Sequence, residues 1–366
     1  MLYAIKPYSK GKKKMVIRDI TVATRESKLM GVGTFIDNAT SMTHGESSVL
    51  GQAGMLGWDM RTNPLVNLNG VEHKGKNEIT RFNPQNGGRR ELMNGAIVGA
   101  NFVPIQLEKA FEIGDYLMEL GAKPITAGTL NHGKLAFCLV DLNRKILVGK
   151  VDQLVGQFLL TVGQVGQLSL KGSPTLKRLA CTNEINGMVG RGQRNATISI
   201  RHTASAEYRI DQARETLEVA HSWIDEVEEI AEKLVSVPMQ NDQFVELAKT
   251  IYPKPLVTDD VPNRRSVSKW SNMIDELESI FLGDGSQGDT TGGIGNTAWC
   301  GYNALTERID WYRNSKPDKV TGKDNSELRT AQALGVVGQT AQEKSNILTQ
   351  VQQFVDGNAK QLFTVS

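Results

Sequence analysis

Hydrophobic residues in the first two thirds of the chain mostly fall in short, strand-length runs, whereas later they recur at helical spacing. The first forty residues show little periodicity and read as an arm, basic at first and then rich in Gly and Thr. The stretch SSVLGQAGMLGWDM predicts a short helix closed by Gly57. A strand is expected over about Asp59 to Leu68, then a loop rich in Asn, Gly and Lys, then a strand near Gly95 to Pro104. In QLEKAFEIGDYLMELG the apolar residues Leu107, Ala110, Phe111, Ile113, Leu117 and Leu120 mark a helix that Gly121 ends. PITAGTL and LAFCLVDL, joined by NHGK with His132 and Gly133 at the turn, predict a hairpin. Further strands are expected at GQFLLTVGQ and NATISIRHT.

The best-defined element runs from Ser205 to about Val237. Ile210, Ala213, Leu217, Ala220, Ile224, Val227, Ala231 and Leu234 alternate spacings of three and four, and Pro238 stops the pattern. Both a coiled coil and an amphipathic helix laid across a sheet give such a seam. Its three to four heptads are the lower limit for a coiled coil, so sheet packing is the better reading. After a loop holding Pro253, Pro255 and Pro262, helices are expected at Ser268 to Leu282, Thr297 to Arg313 and Thr340 to Phe354. The predicted fold class is therefore α+β: an antiparallel sheet packed against a long helix, with a helical C-terminal region. The expected organisation is a basic N-terminal arm (1–42), an α+β core domain (43–237) and the helical region (238–366).

With 366 residues, 39% of them hydrophobic and 22% charged, the chain can build a packed core. No apolar run approaches the roughly 20 residues of a membrane span, and the N-terminus lacks the apolar core of a secretory signal. Cys138, Cys181 and Cys300 lie far apart, as do His44, His73, His132, His202 and His221. That spacing suits a reducing cytoplasm and disfavours a zinc site, so no cofactor is expected.

The net charge of +2 conceals segregation. Residues 1–28 carry eight cations against Asp19 and Glu26, a net +6. Residues 171–214 carry eight more against Glu184, Glu207 and Asp211, a net +5. Residues 215–235 then hold seven acids and one lysine, a net −6. One molecule would thus carry a basic and an acidic surface, which favours nucleic-acid contact.

Gly293-Ile294-Gly295-Asn296-Thr297-Ala298 matches the G-x-G-x-x-A dinucleotide fingerprint. The fingerprint requires a preceding buried strand, and here the flexible sequence GDGSQGDTTG precedes it. The plainer reading is a linker followed by a helix that Asn296 or Thr297 caps, with a backbone phosphate contact open at that helix end. The chain has no phosphate-binding P-loop, no G-x-S-x-G elbow and no histidine in a triad context. Asp225, Glu226, Glu228 and Glu229 fit a solvated helix face, and no cluster argues for an enzyme.

What remains is a basic constellation: Lys171, Lys177, Arg178, Arg191, Arg194, Arg201 and His202 within 32 residues. On a strand, Ile198 and Ile200 would face the core while Ser199 and Arg201 face away, on a surface able to track a phosphate backbone. The alternative is that these cations pair with the acidic helix that follows. Trp299, Tyr302, Trp311 and Tyr312 recur at helical spacing and read as core.

Several stretches also resemble a family of phage- and plasmid-borne proteins known as domain of unknown function 932. They are His44-Gly45, AGMLGWDM, GAIVGANFVPIQLEKAFEIGDYLMELGAKPITAGTLNHGKLAFCLVDL, Arg178-x-x-Cys181-x-Asn183, IRHT at Ile200 to Thr203, and TAWCGYNALTERID at Thr297 to Asp310. The likeness spans about residues 42 to 355, without the tryptophan that would be expected beside His44-Gly45. The family is remotely similar to the phage single-strand annealing superfamily of RecT, Red-beta and Erf types. That likeness implies an antiparallel sheet backed by a long helix, oligomeric rings or filaments, and ATP-independent annealing of single-stranded DNA.

The functional expectation is a phage or plasmid protein, in the host cytoplasm, that binds and anneals single-stranded DNA in recombination or replication. Lys171, Lys177, Arg178, Arg191, Arg194, Arg201 and His202 would hold phosphates, and Lys12, Lys13 and Lys14 would add salt-sensitive affinity. Its partners would be single-stranded DNA and further copies of itself as a homo-oligomer, with no membrane. The alternative is a factor that inhibits a host replication or defence protein through its acidic helix.

Overall fold

A computed structural model describes residues 36–41, 57–82, 84, 90–130, 134–166, 169–178, 197–217, 219–256, 264–284, 293–313 and 340–364. The proposed helix before Gly57, the turn at His132, the N-terminal lysines, Arg191 and Arg194 lie outside these residues.

The main sheet has six strands in the order β1-β5-β6-β7-β8-β9, every neighbouring pair antiparallel. They are β1 (Ile36–Ser41), β5 (Lys123–Leu130), β6 (Leu135–Val148), β7 (Asp152–Gly163), β8 (Leu170–Arg178) and β9 (Ile198–Ile200). A second sheet joins β2 (Asp59–Val66), β3 (Glu72–Phe82) and β4 (Arg90–Gly99) in sequence order. The Asn/Gly/Lys-rich stretch read as loop is therefore partly strand β3, and the next strand begins and ends about five residues earlier than the pattern suggests. Met60, Ile79 and Val98 form a small core of this second sheet, with Phe102 and Val165 packed on it. The Gln106 side chain ties that sheet to the main body: its Oε1 accepts from the Met60 amide at 3.0 Å and its Nε2 donates to the Met60 carbonyl at 2.9 Å.

Three helices lie on one face of the main sheet or alongside it: α1 (Leu107–Glu119), α2 (Ala206–Leu217) and α3 (Val219–Val235). The predicted long helix is described as α2 and α3, on either side of residue 218, which lies outside the described residues. Its apolar seam serves sheet packing as expected, since Ile210, Ala213, Ala220, Ile224, Val227, Ala231 and Leu234 are all buried and α3 meets β6 and β8. The fit is close: a Cβ on Gly156 of β7 would stand 2.7 Å from Ile224 Cδ1. Burying each large side chain of this seam contributes about 1.5–3 kcal/mol.

The C-terminal region is helical, as predicted. It comprises α4 (Asn241–Ile251), which is not among the predicted helices, α5 (Arg264–Phe281), α6 (Ala298–Glu307) and α7 (Thr340–Thr364). A π-helical turn, Arg308–Tyr312, continues α6. One hydrophobic core runs from Leu154 and Phe158 of the sheet through Trp223 to Phe281, Trp299 and Val355 of these helices. Trp299, Tyr302 and Trp311 are buried in the helical region, as their spacing suggests. Cys138 and Cys300 are buried free thiols, and burial pushes the Cys138 thiol far above its usual range. No helix among the described residues is long and apolar enough to cross a membrane.

Candidate nucleic-acid interface

Strand alternation sorts the charges of the main sheet. On β7, Leu154, Gly156, Phe158, Leu160 and Val162 face the helices, because Gly156 abuts Ile224. Their partners across the ladders share that face: Leu170, Gly172, Pro174 and Leu176 on β8, and Ile198 and Ile200 on β9. The alternate positions form the second face. There Thr161 lies opposite Lys171, Gln157 opposite Thr175, Val155 opposite Lys177, and Lys171 opposite Ser199. Arg201, one residue beyond β9, keeps the phase of Ser199 and is exposed.

The same face gains two cations that sequence reading does not single out. Lys145 of β6 pairs with Val155, and Lys123 of β5 pairs with Asp141; both lysines are exposed. Irregular register on each side hides them, since the ladder shifts between Asp141 and Lys145 and again between Pro124 and Thr126. Asn143 takes a positive φ of 54° inside the first irregularity, and its amide donates to Asp141 Oδ1 at 2.7 Å.

The centre of this face is buried, not open. Leu135, Phe137, Val155, Gln157, Thr161 and Thr175 are all buried, and Lys177 is only 8% exposed. Lys177 is therefore a buried lysine of the sheet, not a surface cation. Exposed positive charge sits around it, at Lys123, Lys145, Lys171 and Arg201. Arg178 occupies the last ladder position of β8, opposite Leu154 and one step out of phase with Lys171 and Lys177.

His202 has a different task from the expected phosphate contact. It is buried, its Nδ1 accepts from the Ile105 amide at 3.2 Å, and its ring stacks on Phe102 with centroids 4.6 Å apart. The Val103 amide donates to the His202 carbonyl as well. This histidine fastens the end of β9 to the chain entering α1.

The acidic helix lies on the opposite side of the sheet. Asp225 of α3 pairs with Arg144, and Glu232 Oε1 accepts from the Gly149 amide at 2.7 Å. Arg144 and Lys145 are neighbours in sequence, yet one meets the acidic helix while the other projects from the far face. The sheet thus stands between the acidic helix and Lys145, Lys171 and Lys177.

The glycine-rich fingerprint is accounted for structurally. Thr297 caps α6, its Oγ1 accepting from the Cys300 amide at 3.2 Å. The Ala298 amide donates to the Val237 carbonyl, the Gly301 amide donates to the Thr297 carbonyl, and the Asn296 carbonyl accepts from Met239. The first turn of α6 is buried. The Ala298 and Cys300 amides are committed to the protein, so this buried helix start serves the fold and is not an open anion site.

A buried polar cluster at the end of α6 has no signature in the sequence. Lys344 Nζ lies 2.7 Å from Asp310 Oδ1, with the lysine side chain 1% and the aspartate 11% exposed. Arg308 pairs with Glu276 at 3.1 Å, Arg313 pairs with Glu343, and Arg308 lies over the Tyr252 ring. Among the described residues, no group of His, Cys, Asp or Glu could hold a metal ion.

Burial, with the charge of Glu343 behind it, pushes the Tyr252 hydroxyl up to about 12, and burial beside Asp310 pushes Tyr302 higher still. Both phenols are held neutral by folding, so their stabilisation is complete below the usual tyrosine range near 10 and is lost as pH climbs through the folded values. Urea unfolding should therefore show stability falling between about pH 10 and 12, and Tyr252→Phe should flatten that fall. Equal slopes in both proteins would refute the assignment.

Residues 96–334, well over half the chain, match the family described as Domain of unknown function (DUF932). No curated protein and no solved structure matches this chain.

Proposed function

This chain belongs to the family described as Domain of unknown function (DUF932), and for it we propose a phage or plasmid protein that binds single-stranded DNA and anneals complements without ATP. The observation that carries the reading is the segregation of charge by the main sheet. Lys123, Lys145, Lys171 and Arg201 are exposed from strands or strand ends away from the acidic helix, so the helix does not neutralise them. Arg201 is diagonal to Lys171 across the β8–β9 ladder, a separation of about 7–8 Å. Four cations at the rim of a buried sheet face suit a flexible backbone that runs around the face and leaves its bases free to pair. A six-stranded antiparallel sheet backed by helices also agrees with the remote likeness to the RecT, Red-beta and Erf annealing proteins. Such proteins act as rings or filaments, and a homo-oligomer working on DNA in recombination or replication is part of the proposal.

The test is fluorescence anisotropy of labelled single-stranded oligonucleotides over a series of salt concentrations. Binding should weaken steeply with salt. Lys145→Glu with Lys171→Glu should lower the slope of log K against log salt by about 0.7 for each phosphate that the protein no longer neutralises. Complementary strands should pair faster in the presence of the wild-type protein. Absence of binding at low salt would overturn the reading and would direct attention to the acidic helix as a surface for a host protein.

A further inference from the structure

The hairpin formed by β2 and β3 presents an apolar tip to solvent. Leu68 is fully exposed at 106%, and Val66 and Val71 are more than half exposed. Ile97 of β4, opposite Glu78 on β3, is 57% exposed. The tip is built, not loose. Asn67 Oδ1 accepts from the amides of Asn69 at 3.0 Å and Val71 at 2.9 Å. The Asn67 amide donates to the Val71 carbonyl, the Gly70 amide donates to the Asn67 carbonyl, and Gly70 supplies a φ of +77°. A turn ordered by these hydrogen bonds that holds a leucine wholly in water marks an interaction surface. Lys74 and Lys76, both exposed, follow it on β3.

The molecule carries a complementary surface elsewhere. The β6–β7 turn exposes Leu147 and Val151, 49% and 55%. Its Gly149 amide is held by Glu232 of α3, which places the acidic helix beside the turn. Asp225, Glu229 and Glu232 are exposed along α3 at spacings of four and three, so they form one stripe.

The sheet that carries the hairpin and the β6–β7 turn are anchored at opposite ends of β7. The second sheet packs on Val165 and Gly166, just past the end of β7, whereas Gly149 and Val151 precede its start. The 12 residues of β7 separate those ends by roughly 40 Å.

We propose that the β2–β3 hairpin tip of one copy docks on the β6–β7 turn and the acidic stripe of a second copy. Apolar tip then meets apolar turn, and Lys74 and Lys76 meet Glu229 and Glu232. Because donor and acceptor are different patches, the contact is head-to-tail, and it propagates into a ring or filament. This inference supplies the contact for the oligomer of the proposed function but does not depend on DNA.

Sedimentation velocity of the full chain without DNA, over a range of concentrations, tests it. Wild type should form species larger than a dimer. Leu68→Glu, with its circular dichroism unchanged, should raise the dissociation constant by at least about tenfold, as should Val151→Glu. An equimolar mixture of these two variants should recover a dimer and nothing larger, since one intact donor meets one intact acceptor. Glu229→Lys should weaken assembly, and adding Lys74→Glu should restore part of it. A wild type that stays monomeric, or assembly indifferent to both apolar variants, would overturn the proposal. A heterocomplex with another protein through Leu68, with no self-assembly, would overturn it too. Failure to bind DNA with assembly intact would instead count against the annealing function alone.

Discussion

Asp310→Ala should destabilise the protein by about 3–5 kcal/mol, read as the shift in its urea midpoint at constant slope. The reason lies in what the substitution leaves behind. Lys344 is 1% exposed, and both carboxylate oxygens of Asp310 lie within 2.8 Å of its ammonium. Remove the carboxylate and a buried cation loses a counter-charge that meets it with both oxygens. The mirror variant Lys344→Met takes the ammonium from Asp310, with a somewhat smaller loss because that side chain retains 11% exposure. The double variant Asp310→Leu, Lys344→Met should fall far less than the two singles added together, because a buried ion pair and an apolar pair of similar volume are close in free energy. Additive losses, or a single-variant loss below about 1 kcal/mol, would show that the pair is not the buried unit described.

Trp299→Ala comes next, with an expected loss of about 3–5 kcal/mol. Trp299 is fully buried at the start of α6, and its Nε1 donates to Asp152 Oδ2 at 2.8 Å. Asp152 opens β7 and is itself buried, so this bond joins the helical region to the main sheet. Alanine removes packing and donor together, whereas Trp299→Phe keeps most of the ring volume and deletes the donor. The phenylalanine variant should cost about 1–3 kcal/mol, the range for a buried acceptor deprived of a partner. Thermal unfolding of the two variants separates the contributions; a phenylalanine variant as stable as the wild type would mean that the hydrogen bond contributes nothing.

Much of the fold is legible in the sequence where one face of an element is apolar and the other polar. The α3 seam from Ala220 to Leu234, and the alternation of Ile198, Ser199 and Ile200, report burial directly. Strand β3 is not legible because its first five residues are exposed on both faces, so EHKGK carries no alternation to read. Strand β8 is hard to recognise for the opposite reason. Its Gly172 and Pro174 weaken any strand pattern, yet a Cβ at Gly172 would stand 2.9 Å from the Phe158 ring, so the packing itself demands glycine there.

The candidate interface is legible in part. Lys171 and Arg201 stand out as basic residues near predicted strands and are exposed as anticipated. His202 belongs to the same run of sequence, but only its stacking on Phe102 and its bond to Ile105 reveal a structural role. Lys123 and Lys145 join the interface through ladder registers interrupted by irregular pairing, which no local pattern encodes. The pairing of Asp310 with Lys344 bridges 34 residues and two helical segments, and nothing in the spacing of either residue announces it.

The layering of the main sheet also gives the molecule an electrical polarity. Its formal charge of +2 is close to balance, but exposed lysines project on one side of the sheet and the carboxylates of α3 line the helix layer on the other. Separated by a low-dielectric slab, these charges sum to a dipole directed across the layers instead of cancelling. Near an anionic polymer such a dipole exerts a torque, turning the basic side inward before any contact forms. An anionic polymer would therefore be met basic side first, with the carboxylates of α3 turned outward.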